Sequence, residues 1–224
     1  MGNTRQTRTA GMEKGLIEEG FKRIMSGIEP YRKDDDVSAA AKGCLAFVRG
    51  LRFSALLTYE MRQILNGTGL NVHWGAVMSK LGGVLSRECD IIVHTNGNCG
   101  RWDGSGGREP VMDFQFIKQQ DVRLVISCKG YRLTRVDSNM QDYARDLRKY
   151  VAEVWLFAEC CPEGRKRELA RAAKKGGYSR FWHLYEPNDR WNLPGWHEFV
   201  SILRELPGRA RGKHTRHGTV RESQ

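Results

Sequence analysis

The chain has 224 residues, 40% of them hydrophobic and 28% charged, with a formal net charge of +11 at pH 7. A chain of this length buries one substantial core, with room for a small helical appendage but not for two full domains. The charge selects a polyanion as partner, nucleic acid before anionic membrane, and the sequence argues against a membrane span or a signal peptide, because no apolar run is long enough and the opening MGNTRQTRTAG carries no hydrophobic stretch.

Gln6 stands where a myristoylated chain would carry serine or threonine. Ile17, Phe21, Ile24 and Ile28 then recur at helical spacing until Glu29-Pro30 and the acidic run Asp34 to Asp36 break the pattern, so residues 1–37 read as a tail and helical extension. A longer helix is expected from the N-cap Ser38 to the stop at Asn66-Gly67, with Gly50 as a point where it can divide. Phe53, Leu57, Met61, Ile64 and Leu65 form its apolar stripe, and Glu60 shares that buried side, either as an ion-pair partner at the margin of the core or as a ligand aimed at the sheet.

Strands are expected at about 72–78, 86–94 and 122–131. A glycine-rich loop NGNCGRWDGSGG lies between the last two. Arg101 and Trp102 on that loop suit clasping a nucleic-acid backbone and stacking on a base, although such a pair on a glycine loop is ordinarily a surface insertion, and no phosphate-loop signature follows. Downstream, helix 138–150, strand 152–158, helix 163–175 and strand 178–185 alternate as parallel crossovers require. Trp196, Phe199, Ile202 and Leu203 mark a last amphipathic helix before Pro207, leaving one domain over 38–206 and a basic tail over 207–224.

Basic residues concentrate at Arg165, Lys166, Arg167, Arg171, Lys174 and Lys175 on one helix and at Arg209, Arg211, Lys213, Arg216 and Arg221 in the tail. Either run can track phosphates, and either is also an ordinary solvated surface. Cys44, Cys89, Cys99, Cys128, Cys160 and Cys161 show neither a disulfide framework nor paired zinc spacing, which fits a reducing cytoplasm.

Chemistry concentrates in SRECDIIVH (86–94) and VRLVISCKGY (122–131). Strand alternation puts Glu88, Asp90, Ile92 and His94 on one face of the first and Val125, Ser127 and Lys129 on one face of the second, with Cys89 and Cys128 on the opposite faces as core residues. Phosphodiester hydrolysis needs a hard, oxygen-bound cation and a cationic group that steadies developing charge, for which Asp90 and Lys129 supply one carboxylate and one ammonium. Ser127, a weak magnesium ligand, occupies the place of a second carboxylate. His94 offers a proton carrier, but a satisfied or exposed histidine is the ordinary reading.

At CDIIVH and LVISCK the chain resembles the PD-(D/E)XK nuclease superfamily, the restriction-endonuclease-like fold, and more closely an uncharacterised bacterial branch of it. Glu60, Ser86, Asp90, Ile126 and Lys129 match that branch's pattern, Ser127 departs from its motif glutamate, and the likeness spans Phe53 to Phe157. The resemblance implies an α/β fold with a mixed central sheet flanked by helices, here carrying an N-terminal helical extension. It implies Mg2+ or Mn2+ held by Asp90, the backbone carbonyl of Cys128 and Glu60 or Glu88, with Lys129 and the altered position Ser127 as catalytic residues. DNA, before RNA, is the expected partner, with no membrane involved, and Arg101 and Trp102 of the loop and Arg165, Lys166 and Arg167 of the basic helix are the candidate contacts. The function expected is metal-dependent phosphodiester hydrolysis weakened by Ser127, and the alternative is an inactive nuclease-shaped protein that binds nucleic acid or a protein partner.

Overall fold

The computed structural model describes residues 3–29, 39–95, 100–102, 114–188 and 190–209. The helices are α1 (Asn3–Ile28), α2 (Ala39–Ile64), α3 (Ser138–Arg148), α4 (Lys166–Lys175) and α5 (Leu193–Arg209). The strands are β1 (Leu70–Met78), β2 (Cys89–Thr95), β3 (Gly100–Trp102), β4 (Phe114–Lys118), β5 (Val122–Arg132), β6 (Val154–Cys160), β7 (Arg180–Glu186) and β8 (Arg190–Trp191). Among the described residues the strands form one eight-stranded mixed sheet in the order β3-β4-β1-β2-β5-β6-β7-β8.

The expected crossovers are present: β5 pairs in parallel with β6, and β6 with β7. β2 lies antiparallel between β1 and β5, so the two chemistry-bearing segments are direct neighbours. Sequence reading passed over β4, which pairs in parallel with β1. Its run FQFIK does alternate, with Gln115 and Ile117 buried, but it is short for a strand signal.

Two apolar layers sandwich the sheet. On one face, Phe53, Leu57 and Met61 of α2 and Phe199 and Leu203 of α5 pack on Ile91, Val93, Leu124, Ile126, Trp155 and Phe157. On the other, Met140, Ala144 and Leu147 of α3 and Leu169 and Ala173 of α4 pack on Ile92, Val125, Val154 and Leu156. The alternation along β6, whose every residue is buried, divides that strand between the layers.

The segment read as an extension belongs to the first layer, since Phe21, Ile24, Met25 and Ile28 of α1 are buried in the same cluster. The Trp196 indole N–H donates to the Ile17 carbonyl at 2.9 Å, fastening α5 to α1. α5 also runs on through Pro207 for its last turn, where an end before that proline was expected. Arg211, Lys213, Arg216 and Arg221 lie outside the described residues. Among the described residues no helix is long and apolar enough to cross a membrane.

α2 does not divide at Gly50. A Cβ on Gly130 of β5 would lie 2.6 Å from the Gly50 Cα, so the strand meets the helix backbone at a point where position 130 must be glycine, while a Cβ on Gly50 would meet nothing within 4 Å. One residue away, Arg49 of α2 reaches the fully buried Glu159, its Nε donating at 2.8 Å, and the Tyr185 hydroxyl donates to the same carboxylate at 2.7 Å. A buried carboxylate with both a cation and a hydroxyl donor is well satisfied, and it pins α2 over β6 and β7.

Gly130→Ala is expected to cost about 1–3 kcal/mol, because the added methyl meets backbone that cannot rotate away. Denaturant unfolding measures it, and a stability equal to the parent would show that the contact is slack.

Candidate active site

The β2–β5 ladder pairs Ile92 with Val125 and Ile91 with Ile126. Beyond that pair the Asp90 Oδ2 accepts the backbone N–H of Cys128 at 2.7 Å, so a side-chain carboxylate takes over where the backbone ladder stops. The expected meeting of Asp90 with the Ser127–Lys129 segment is thereby realised.

β2 is irregular at this end. His73 of β1 faces Ile92 while Gly75 faces Cys89, so β2 fits an extra residue opposite β1, a bulge. Alternation counted from Ile92 would place Cys89 with Ile91 and Val93; instead it packs in the layer of α3 and α4. Cys128, by contrast, lies where alternation put it, with Ile126 against α2.

Burial pushes the Asp90 carboxyl above the usual carboxylate range, against the Cys128 N–H and the nearby charge of Lys129, and the Glu88 charge raises it further. Lys129 is half-buried and forms no ion pair with a described residue, so it acts on Asp90 at a distance. Ser127 is 2% exposed, and its hydroxyl is near enough to favour the ionised forms of the Asp90 carboxyl and the Tyr178 phenol. Tyr178 in turn donates to the Met140 carbonyl at 3.0 Å. Position 127 is thus part of the packed interior beneath α3 and not an open ligand.

Glu60 needs a correction. Its side chain is 4% exposed, and Arg23 of α1 donates to both its oxygens at 2.7 and 2.9 Å. Of the two sequence readings the ion pair describes it, because α1 covers that side of α2 and supplies the cation. The carboxylate beside Asp90 is Glu88, whose Oε1 accepts the Trp74 indole N–H at 2.6 Å. Glu88, Asp90 and Trp74 line one cavity of about 340 Å³ together with Leu51, Ala55 and Tyr59 of α2.

Among the described residues no group of three or more His, Cys, Asp or Glu side chains is placed to hold a metal ion. The donors that suit a hard cation are the two carboxylates on this cavity and the Cys128 carbonyl, which projects from the same edge of β5 as the N–H that Asp90 accepts. That set is smaller than the one expected from Glu60 and Ser127, and waters would complete it.

The remaining candidates lie elsewhere. His94 is 1% exposed and turned away, its Nδ1 2.8 Å from the Thr95 carbonyl and its Nε2 2.8 Å from His73 Nδ1. Arg101 and Trp102 fall on β3, which pairs only with β4 at the far edge of the sheet. Arg165, Lys166 and Arg167 are exposed at the start of α4, on the face opposite α2, and Arg165 is paired with Glu168. The sequence reading missed Trp74 and Tyr59. Their signal was an aromatic residue on the strand paired with β2 and another beside Glu60 on the helix.

No protein-family model matches the chain, and no curated protein matches it. Its fold is similar to that of P. aeruginosa ATCC27853 NucC in its cAAA-bound form, at a TM-score of 0.56 and 11% identity over 86% of this chain and 90% of that one. The cAAA-bound form of E. coli MS115-1 NucC gives a TM-score of 0.51 at 9% identity, over 85% of this chain and 89% of that one. The likeness is one of fold, a mixed α/β sheet flanked by helices.

Two outcomes follow from this geometry. Glu60→Gln is expected to lower stability by about 1–2 kcal/mol, the half-exposed Arg23 limiting the loss, and to leave any metal-dependent activity intact; an activity loss at unchanged stability would return Glu60 to the site. Asp90→Asn keeps an acceptor for Cys128. In the unfolded chain the Asp90 carboxyl ionises near about 3.9. Above that value, and up to the raised folded value, the native state binds more protons, so its stability falls as pH rises. The variant should therefore be more stable than the parent at pH 7, by a margin that shrinks as the pH is lowered toward about 4. Thermal unfolding across pH checks this, and a variant no more stable at neutral pH contradicts it.

Proposed function

We propose that this chain acts on nucleic acid, DNA before RNA, as a metal-dependent phosphodiesterase centred on Asp90 and Lys129. The observation that carries the reading is the Asp90–Cys128 contact at 2.7 Å, which fixes a carboxylate beside the strand segment bearing the lysine. Asp90, Glu88 and the Cys128 carbonyl would hold Mg2+ or Mn2+. Such an ion, when bound, polarises the phosphate and lowers the pKa of a water.

The chain's own groups do the rest. Lys129 sets an ammonium close enough to act on Asp90, where it can stabilise charge growing on an attacked phosphate. Trp74 holds Glu88 toward the cavity by its indole N–H. The exposed Lys166, Arg167 and Arg171 of α4 offer sequence-independent phosphate contacts. The described cysteines Cys89, Cys128, Cys160 and Cys161 are buried, which fits a cytoplasmic setting.

One observation favours the second reading, a nuclease-shaped binder that does not cut. Ser127 has no charge to offer a cation, and it is buried at 2% exposure.

Plasmid and single-stranded substrates incubated with Mg2+ or Mn2+ separate the two. Cleavage by the parent chain is expected to drop about 10²–10³-fold in Lys129→Ala and at least as far in Asp90→Ala. Cleavage that survives both substitutions removes the site. Salt-sensitive binding with no metal-dependent product selects the binder.

A further inference from the structure

We propose that the cavity between α2 and the β1–β2 pair receives one unpaired nucleobase, so that single-stranded nucleic acid is the substrate class of this site. The inference rests on the nucleic-acid reading above and adds what the strand must look like. At about 340 Å³ the cavity lies at the small end of ligand sites. Tyr59, Trp74, Leu51 and Ala55 give it apolar and aromatic walls, while Glu88 and Asp90 lie on the same cavity. A base seated between those walls would leave its phosphate beside the carboxylates where a cation is proposed.

Trp74 is oriented before any ligand arrives. Its N–H is held by Glu88 at 2.6 Å, and Phe114 meets it edge-on at 4.9 Å and 85°. A stacking platform fixed in this way spends little conformational entropy on binding. Tyr59, opposite on α2, is 53% exposed, and Leu51 is 44% exposed about two turns away along the same helix face. Large apolar side chains left in water beside a carboxylate pair are costly unless something apolar covers them.

The formal charge of +11 draws a polyanion to this protein, and the apolar part of a polyanion of this kind is the face of a base. In a duplex that face is stacked and shielded, and extracting it costs a few kcal/mol. An unpaired base presents it freely.

The test is equilibrium binding of the full chain, in EDTA and low salt, to a labelled single-stranded oligonucleotide, the same strand with abasic sites in place of its bases, and the blunt duplex. The intact and abasic strands carry the same phosphate charge, so the difference between them reports the base alone. The intact strand is expected to bind about 5- to 140-fold more tightly than the abasic one, the span of a single stacking contact. Trp74→Ala and Tyr59→Ala are expected to close most of that gap while leaving the abasic strand unaffected, and Tyr59→Phe to retain it. The exposed Tyr59 keeps the test decisive should Trp74→Ala misfold. Equal affinity for intact and abasic strands, or a loss shared equally by every probe, overturns the proposal. A base-dependent gap without any cleavage in Mg2+ keeps it and removes only the hydrolytic reading. Binding to no probe at low salt ends both.

Discussion

The carboxylate of Asp90 replaces a backbone acceptor at the point where β2 leaves β5, and most of the site depends on that substitution. A ladder that continued would have spent the Cys128 N–H on a carbonyl and turned the side chain at 90 into one more face of the sheet. Because the bulge against β1 adds a residue to β2, the carboxylate reaches into the gap instead. It is then held by a strand, not a loop, and its position is as rigid as the sheet. Catalytic and ligand groups gain most from such support, since small displacements weaken both binding and chemistry.

α2 serves both the core and the cavity, and its two sides show how. Phe53, Leu57 and Met61 are fully buried and hold the helix on the sheet. The contact of Gly50 with Gly130, and the Arg49–Glu159–Tyr185 cluster beside it, then set how close the helix lies to β5 just after Lys129. The outward side, freed from packing, lines the cavity with Leu51, Ala55 and Tyr59. Glu60 looks like a site residue from its position in sequence, but α1 takes it. The arrival of Arg23 converts a buried acid that would need a cation into one that already has an organic one.

The order of elements was legible because it rests on periodicity, and long periodic runs such as β5 and α2 carry that signal over many residues. The pairing of β2 with β5 was legible for the same reason. What escaped were features set by tertiary partners. Gly50 reads as a helix breaker until Gly130 is seen across from it. The buried side of α1 reads as an appendage until the faces of α2 and α5 that receive it are known. Alternation in β2 failed at Cys89 because a bulge is decided by the neighbouring strand and not by the strand's own sequence. Glu60 could be confined to two roles from spacing alone, and only the identity of its partner chose between them. Trp74 stood in a predicted strand as one aromatic among many, and its relation to Glu88 depends on β1 and β2 being paired.

Ser127 bears on how the remaining charges behave. A carboxylate there would sit in a buried pocket beside Asp90 and Glu88, and the mutual repulsion of such a set is what a divalent ion relieves. With serine the local negative charge is smaller, and burial holds the Asp90 carboxyl above the usual carboxylate range. A cation held by Asp90 would compete with protonation of that carboxyl, so its hold would weaken as pH falls. Lys129 acts in the opposite direction, since its charge favours the ionised carboxylate. The arrangement couples three quantities that a full acidic cage would keep apart: the protonation of Asp90, the occupancy of the cation position, and the freedom of the lysine to meet a phosphate. In a chain that cuts, the raised Asp90 pKa would make the rate rise with pH. In a chain that only binds, the same lysine remains available to phosphate whenever Asp90 is protonated.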